Sequence, residues 1–120
     1  MDTAHIISYL YMDFKIKTTE AFGKKITVTD AGKEVARATL YVLKNDLHKE
    51  PFGFIEDVFV DESLRGQGVG TKLAREIIEE AKRHGCYKII ATSRHIRENV
   101  HRFYEKLGFT NYGLEFRIDL

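Results

Sequence analysis

The stretch that decides the fold is Val58–Thr71, which reads VFVDESLRGQGVGT. An apolar run ends at Val60 and a short polar turn follows. Arg65 then precedes three glycines at alternate positions, Gly66, Gly68 and Gly70. Glycine lets a backbone approach a ligand closely and adopts positive φ without strain. The first amides of a helix lack partners inside the helix and carry partial positive charge. The stretch therefore predicts a strand, a loop and a helix start that together cradle a phosphate group.

Two common phosphate-binding motifs do not fit this loop. A dinucleotide fingerprint that starts at Gly66 needs glycine or alanine at position 71, where the chain has Thr71. The nucleotide P-loop needs a lysine directly before Ser or Thr, whereas Lys72 comes after Thr71. The pattern Arg/Gln-x-x-Gly-x-Gly/Ala does fit, through Arg65, Gly68 and Gly70.

That pattern resembles the acyl-CoA pyrophosphate loop of the GNAT superfamily of N-acetyltransferases. A second block, residues 102–109 with the sequence RFYEKLGF, is similar to the closing signature of the same family, a helix with Phe-Tyr followed by Gly-Phe. The resemblance covers roughly residues 25–120 and implies acetyl-CoA as co-substrate, with no metal. In that family two helices after the first strand wall the acceptor site. Residues 19–24 leave no room for them, so we expect an abbreviated acceptor side.

The composition predicts one packed domain over residues 1–120. Apolar residues make up 43% of the chain and the formal net charge is +1, which favours a globule and argues against a dedicated nucleic-acid binder. No apolar run approaches the length that spans a membrane. The single cysteine, Cys86, excludes a disulfide framework and is best explained by packing. We therefore expect a cytoplasmic protein with no nucleic-acid or membrane partner.

Hydrophobic periodicity predicts the order of helices and strands. Residues 1–12 fit either a strand or a helical turn. Alternation or apolar runs predict strands at 14–18, 25–29, 35–43, 54–60, 87–92 and 114–120. An amphipathic helix follows the glycines and stops at Gly85, and a second helix covers about 97–107. Early strands joined by short turns are antiparallel neighbours, whereas the strand–helix–strand unit makes a right-handed parallel pair. The predicted class is α+β, with a mixed, mostly antiparallel central sheet flanked by helices, as in a GNAT-like fold.

The cofactor contacts are expected at the loop and at the strand before it. Main-chain amides of the loop are placed to bind the pyrophosphate, and the family resemblance implies that the backbone of the strand end pairs with the pantetheine arm. The expected cofactor-binding residues are Val58, Phe59, Val60, Arg65, Gly66, Gln67, Gly68, Val69, Gly70 and Thr71.

Tyr104 is the expected general acid. In acetyl transfer an amine attacks the thioester carbonyl and the CoA thiolate leaves. A phenol positioned near the sulfur can protonate that thiolate, and the resemblance implies this role for the tyrosine of the Phe-Tyr pair. The alternative is a core aromatic beside Phe103.

Glu56 is the expected general base that takes a proton from the amine. Charged residues inside an apolar strand need a reason to be there. Asp57 is its neighbour, and the pleat is expected to send the two side chains to opposite faces. The alternative for Glu56 is a structural carboxylate at a strand bulge that pairs with an arginine. Asp57, His48, His95 and a water molecule are further candidates for the base. Where the family often has an asparagine before the second helix, this chain has Arg97.

The leading function is therefore transfer of an acetyl group from acetyl-CoA to a primary amine of a small molecule or a protein. A narrower resemblance, to eukaryotic glucosamine-phosphate N-acetyltransferases, rests on IEDV at 55–58 and CYKI at 86–89. A catalytically silent acyl-CoA-binding or sensing domain is an alternative from another class, and a plain interaction domain would leave the glycine loop unexplained. A homodimer could supply the absent wall, with the apolar C-terminal strand as one contact.

Overall fold

A computed structural model describes residues 10–120 of the chain. Within the described residues the sheet has four strands, β1 (Ala21–Asp30), β2 (Lys33–Leu43), β3 (Phe52–Val60) and β4 (Ile89–Ala91), in the spatial order β1-β2-β3-β4. Two α-helices lie wholly within this part of the chain, α1 (Val69–Arg83) and α2 (Glu98–Lys106), and a single turn of 3-10 helix covers Glu62–Leu64. β1–β2 and β2–β3 are antiparallel, whereas β3–β4 is parallel. The predicted mixed, mostly antiparallel α+β fold is confirmed.

The first hairpin follows from its turn sequence. Ala31 and Gly32 both have positive φ, 50° and 80°, which is the geometry of a type I′ turn and matches the right-handed twist of the two strands. Asp30 pairs with Lys33 across this turn.

Helix α1 closes one face of the sheet. Its apolar residues recur at helical spacing, so Leu73, Ile77 and Ala81 all point at the sheet and are buried. They pack against alternate residues of β2 and against Ile55 of β3. The buried cluster consists of Ala36, Ala38, Leu40, Val42, Ile55, Leu73, Ile77 and Ala81.

The end of α1 is set by Gly85, which has φ of 74°. The amide of Cys86 donates to the carbonyl of Ala81 at 3.1 Å and the amide of Gly85 donates to Lys82 at 3.0 Å. These two bonds satisfy carbonyls that the helix leaves unpaired. The predicted stop at Gly85 is confirmed.

Two predicted strands are wrong. Residues 14–18 and 114–120 form no strand in the structure, although both alternate apolar and polar side chains. Alternation creates an apolar side, but a strand also needs a neighbour that pairs with its backbone, and neither segment pairs with a strand of the sheet. β4 is also shorter than predicted, at Ile89–Ala91. The prediction for residues 1–12 falls mostly outside the described residues.

Candidate functional site

The loop between β3 and α1 is held by its own side chains. The Asp61 carboxylate accepts from the amide of Ser63 at 3.0 Å and from its hydroxyl at 2.7 Å, and these bonds lower the pKa of Asp61. The Arg65 Nε donates to the carbonyl of Val60 at 3.2 Å, and the Gln67 amide donates to the carbonyl of Ser63 at 3.2 Å. The side chains of Arg65 and Gln67 therefore stabilise the loop from within. Its main-chain amides remain the groups that could contact a ligand.

Helix α1 begins without a side-chain cap. Its N-cap residue is Gly68, with φ of 82° in the left-handed region, and no side chain accepts from the first turn. The first bond of the helix runs from the amide of Lys72 to the carbonyl of Gly68 at 3.0 Å. The helical amides before Lys72 have no partner within the helix and carry the positive end of its dipole. This geometry suits an anionic ligand.

The three glycines of the loop are not equivalent. A Cβ added to Gly66 or Gly68 would meet nothing within 4 Å, but both residues have φ near 80°, which other L-residues rarely adopt. A Cβ at Gly70 would lie 3.6 Å from Val60 and 3.9 Å from the ring of Phe103. Gly66 and Gly68 thus shape the loop and leave space above it, whereas a Cβ at Gly70 would make only ordinary van der Waals contacts, so packing at this position does not require glycine.

Strands β3 and β4 separate beside the loop. Their parallel pairing ends at Ile55 and Ala91, although β3 continues to Val60. Beyond Ile55, β3 has no partner strand on its β4 side among the described residues. The backbone of Val58–Val60 is therefore available to pair with an extended ligand, as a strand would.

A β-bulge interrupts β3 at the carboxylates. Thr39 pairs with Glu56 and Arg37 with Phe59, so two residues of β3 oppose Ala38 alone. Asp57 lies in the bulge with φ of 55°. The bulge breaks the alternation that the pleat would impose, and it brings Asp57 to the same face of the sheet as Glu56 and Arg37. The prediction that the two carboxylates point to opposite faces is therefore wrong.

The Asp57 carboxylate is bound by Arg37. The guanidinium approaches it at 2.9 Å through Nε and 3.3 Å through Nη2, and it also lies 4.8 Å from the centre of the Phe59 ring. These hydrogen bonds lower the pKa of Asp57, which makes Asp57 a weaker base. The Glu56 side chain is exposed and has no such ion pair with any described residue, so Glu56 is the better candidate of the two.

Tyr104 lies against the bulge from the other side. Its ring packs edge-on with Phe103 at 5.5 Å and with Phe109 at 5.3 Å between centroids. With Val58 and residues of α1 it lines a cavity of about 10 Å³, which is room for a single water molecule. Burial raises the pKa of the Tyr104 phenol, so the hydroxyl stays protonated at neutral pH. No described residue hydrogen-bonds that hydroxyl.

The other candidates lie away from the bulge or have ordinary structural roles. His48 stacks on Tyr87 at 4.2 Å between centroids, at the end of β3 that is remote from the glycine loop. His95 is exposed in the loop after β4. Burial raises the pKa of the Cys86 thiol, which fits packing. Within residues 10–120 no group of three or more His, Cys, Asp or Glu side chains could hold a metal ion.

Sequence reasoning missed two residues of this region. Arg37, which fixes Asp57, is the one charged residue inside the apolar run 35–43, and that contrast could have identified it. Ser93 follows β4, and its hydroxyl is buried without a hydrogen-bond partner in the described part of the chain. A buried hydroxyl normally has a partner, but a serine after an apolar strand carries no distinctive sequence signal.

Comparison with known proteins agrees with this geometry. The chain belongs to the acetyltransferase (GNAT) family, which matches residues 7–109. Over 68 residues it is 46% identical to a glucosamine 6-phosphate N-acetyltransferase of Trypanosoma brucei brucei, covering 57% of this chain and 44% of that protein. Over 78 residues it is 31% identical to N-alpha-acetyltransferase 30 of Schizosaccharomyces pombe, covering 63% of this chain and 52% of that protein.

The fold is also shared with a solved relative. The crystal structure of glucosamine-6-phosphate N-acetyltransferase from Arabidopsis thaliana superimposes with a TM-score of 0.73 at 29% identity, covering 81% of this chain and 66% of that one. The chain spans about half the length of the curated relatives it matches. Among the described helices, none has the length and apolar character needed to cross a membrane.

Proposed function

We propose that the chain binds acetyl-CoA and transfers its acetyl group to a primary amine. The observation that carries the proposal is the uncapped start of α1 at Gly68, placed directly after a strand whose edge is unpaired beyond Ile55. Coenzyme A carries a pyrophosphate, a 3′-phosphate and a long amide-bearing arm. The loop amides would bind the pyrophosphate, and the backbone of Val58–Val60 would pair with the arm.

The proposed reaction is a direct attack. The amine nitrogen bonds to the thioester carbonyl carbon, the C–S bond breaks, and the sulfur leaves with the electron pair. Tyr104 gives its phenolic proton to that sulfur, and Glu56, directly or through water, takes the proton that the amine loses. Because burial raises the Tyr104 pKa, its proton transfer depends on close positioning of the sulfur in a site that bound CoA shields from water.

The acceptor amine is proposed to meet the thioester from the face of the sheet that α1 does not cover. Glu56, Thr39 and Arg37 lie on this face and offer a carboxylate, a hydroxyl and a guanidinium. Similarity to glucosamine 6-phosphate N-acetyltransferases supports an amino-sugar phosphate, whose anionic group would suit an arginine. Similarity to an N-alpha-acetyltransferase supports a protein amine instead.

A matched pair of glycine variants tests cofactor binding. Gly68→Ala and Gly85→Ala both place a Cβ in open space at positive φ, so both should lose similar stability. Only Gly68→Ala should lower CoA affinity, by at least about tenfold, because Gly68 directly precedes the free amides of α1, whereas Gly85 lies past the other end of that helix. Calorimetry with CoA measures this difference. Equal affinities for the two variants, or no binding by the unchanged protein, would refute the proposed pyrophosphate site at the start of α1.

A thiol-release assay tests catalysis and the acceptor. The protein is given acetyl-CoA with glucosamine 6-phosphate, with a peptide bearing a free N-terminus, or with neither. Release of CoA thiol that depends on one amine identifies the acceptor class. CoA binding without release for any amine would support the silent binding or sensing domain.

A cytoplasmic location remains part of the proposal and is checked by fractionation of the source cell.

A further inference from the structure

Asp57 has a backbone conformation that needs outside support. Among the described residues, only Ala31 and Asp57 are non-glycine residues with positive φ, at 50° and 55°. Ala31 lies in the turn between β1 and β2, where the tight connection requires this geometry, whereas Asp57 lies inside strand β3. Such a conformation persists only when the surrounding groups hold it. The bulge in β3 therefore depends on a contact that keeps Asp57 in place.

Arg37 of strand β2 makes that contact. Its Nε and Nη2 donate to the two oxygens of the Asp57 carboxylate at 2.9 Å and 3.3 Å, and a bidentate pair of this kind fixes direction as well as distance. The same guanidinium lies 4.8 Å from the centre of the Phe59 ring, which is within the range of a cation–π contact. Arg37 thus contacts the residues on both sides of Val58.

The Arg37 side chain is held in turn by a second carboxylate. Its Nη1 donates to Oε2 of Glu34 at 3.5 Å, and Oε1 of Glu34 lies 3.5 Å from the Nζ of Lys25. Each of the three guanidinium nitrogens is therefore directed at a carboxylate. Because the Arg37 side chain is only 31% exposed, it has little freedom to turn away from the bulge.

The bulge decides which residue of β3 lies beside Tyr104. Ile55 is buried beneath α1, so an uninterrupted pleat would turn Asp57 towards α1 and Val58 away from it. The extra residue reverses this order. Asp57 meets Arg37 on the face that α1 does not cover, and Val58 lines the cavity that Tyr104 also lines. Val58 is also the first residue of the backbone that is proposed to bind the arm of CoA.

We propose that Arg37 is a positioning residue for acetyl transfer. By binding Asp57 and contacting Phe59, it holds the bulge in the form that places Val58 next to Tyr104 and to the thioester. Arg37 acts through the backbone of β3 and makes no contact with acetyl-CoA. This inference rests on the proposed function, and it adds the residue that keeps the bulge in its reactive form.

Two substitutions on the face that α1 does not cover separate positioning from a general loss of positive charge. Arg37→Gln removes the guanidinium, whereas Lys25→Gln removes a cation that pairs with Glu34 and forms no ion pair with Asp57. Arg37→Gln should lower kcat by about tenfold or more, since a displacement of about 1 Å at a reacting group costs at least that much. Lys25→Gln should change kcat by about twofold or less.

Calorimetry with CoA accompanies the kinetics and gives the concentration of folded sites, so that kcat is expressed per folded molecule. CoA affinity should fall by about threefold or less in Arg37→Gln, because the pyrophosphate is bound by the loop before α1. A fall in stability alone would leave kcat per folded site unchanged. The combination of a lower kcat and a nearly unchanged affinity is therefore the signature of positioning.

Arg37→Lys tests whether geometry or charge matters. Lysine keeps the positive charge, but its single nitrogen cannot form the bidentate contact with Asp57. We expect kcat of Arg37→Lys to stay within about threefold of the Arg37→Gln value. Full recovery of kcat by lysine would show that the charge alone matters and would overturn the proposal.

Backbone chemical shifts in the ligand-free protein report the bulge without any turnover. The shifts of Asp57, Val58 and Phe59 should move in Arg37→Gln and stay in place in Lys25→Gln. An unchanged kcat in Arg37→Gln, whether or not the shifts move, would overturn the positioning role. A raised KM for the amine with unchanged kcat and unchanged shifts would instead make Arg37 a contact of the acceptor. Absence of turnover in the unchanged protein would refute the proposed function and, with it, any role of Arg37 in the reaction.

Discussion

The two faces of the sheet differ in burial and in the side chains that they present. The closed face is the one that α1 covers, and the open face is the opposite one. On the α1 face, Leu40 and Ile77 are fully buried, and small residues such as Ala36 and Ala38 let the helix approach closely. On the opposite face, the neighbouring positions of β2 carry Arg37, Thr39 and Tyr41, which stay partly or largely exposed. One face supplies stability, whereas the other presents a carboxylate, an ion pair and hydroxyl groups. The sheet therefore separates the residues that fold the chain from those proposed to act on an acceptor.

The largest expected effect lies on the closed face. Leu40→Ala removes a fully buried side chain and should lower the free energy of unfolding by about 2–5 kcal/mol. Tyr41→Ala, one residue further and on the other face, should cost about 1 kcal/mol or less. Denaturant titration of both variants measures the contrast. If both substitutions cost the same, the open face is covered in solution by something that packs on Tyr41.

Tyr104 lies beside the point at which β3 and β4 separate. Tyr104→Phe keeps the ring that packs on Phe103 and Phe109, so stability and CoA affinity should hardly change. Turnover should fall by roughly ten- to a thousandfold, because the proton donor for the thiolate is lost. Steady-state kinetics and calorimetry on the same variant provide the two measurements. Unchanged turnover would make Tyr104 a core aromatic, and joint loss of binding and stability would make its role structural.

The two carboxylates of the open face should differ in their effect on turnover. Glu56→Gln should slow the reaction by roughly ten- to a hundredfold near neutral pH, with partial recovery at high pH, where the amine is already neutral. Asp57→Asn should have a smaller effect, since Arg37 already binds that carboxylate. The pH dependence of kcat/KM for both variants decides between them. A larger loss in Asp57→Asn would assign the base to Asp57.

Sequence alone predicted the closed face well and the open face poorly. The apolar spacing of α1 and the alternation of β2 follow directly from burial, and Gly68 and Gly85 mark backbone conformations that few other residues adopt. The bulge at Asp57 shifts the register between β2 and β3, and the sequence did not predict this shift. Apolar residues flank the carboxylates on both sides, and one extra residue leaves that pattern intact. Residues 114–120 show a different limit of sequence-based prediction. Their alternation is typical of a strand, but the segment does not encode the strand with which it would pair.

The smallest expected effect is the pH dependence of the exposed Arg37–Asp57 pair. Because Arg37 lowers the pKa of Asp57 in the folded chain, the pair stabilises the fold above the ordinary carboxylate pKa of about 3.9 and loses this effect as pH falls through the lowered value. Asn tolerates positive φ as Asp does, so Asp57→Asn keeps the bulge and removes the charge. The difference in urea midpoint between the two proteins should therefore be largest near about pH 7 and shrink towards about pH 3. The Asp57 side chain is 54% exposed, so added salt should also reduce the difference. A difference that is independent of both pH and salt would mean that Asp57 stabilises the bulge through its shape and not through its charge.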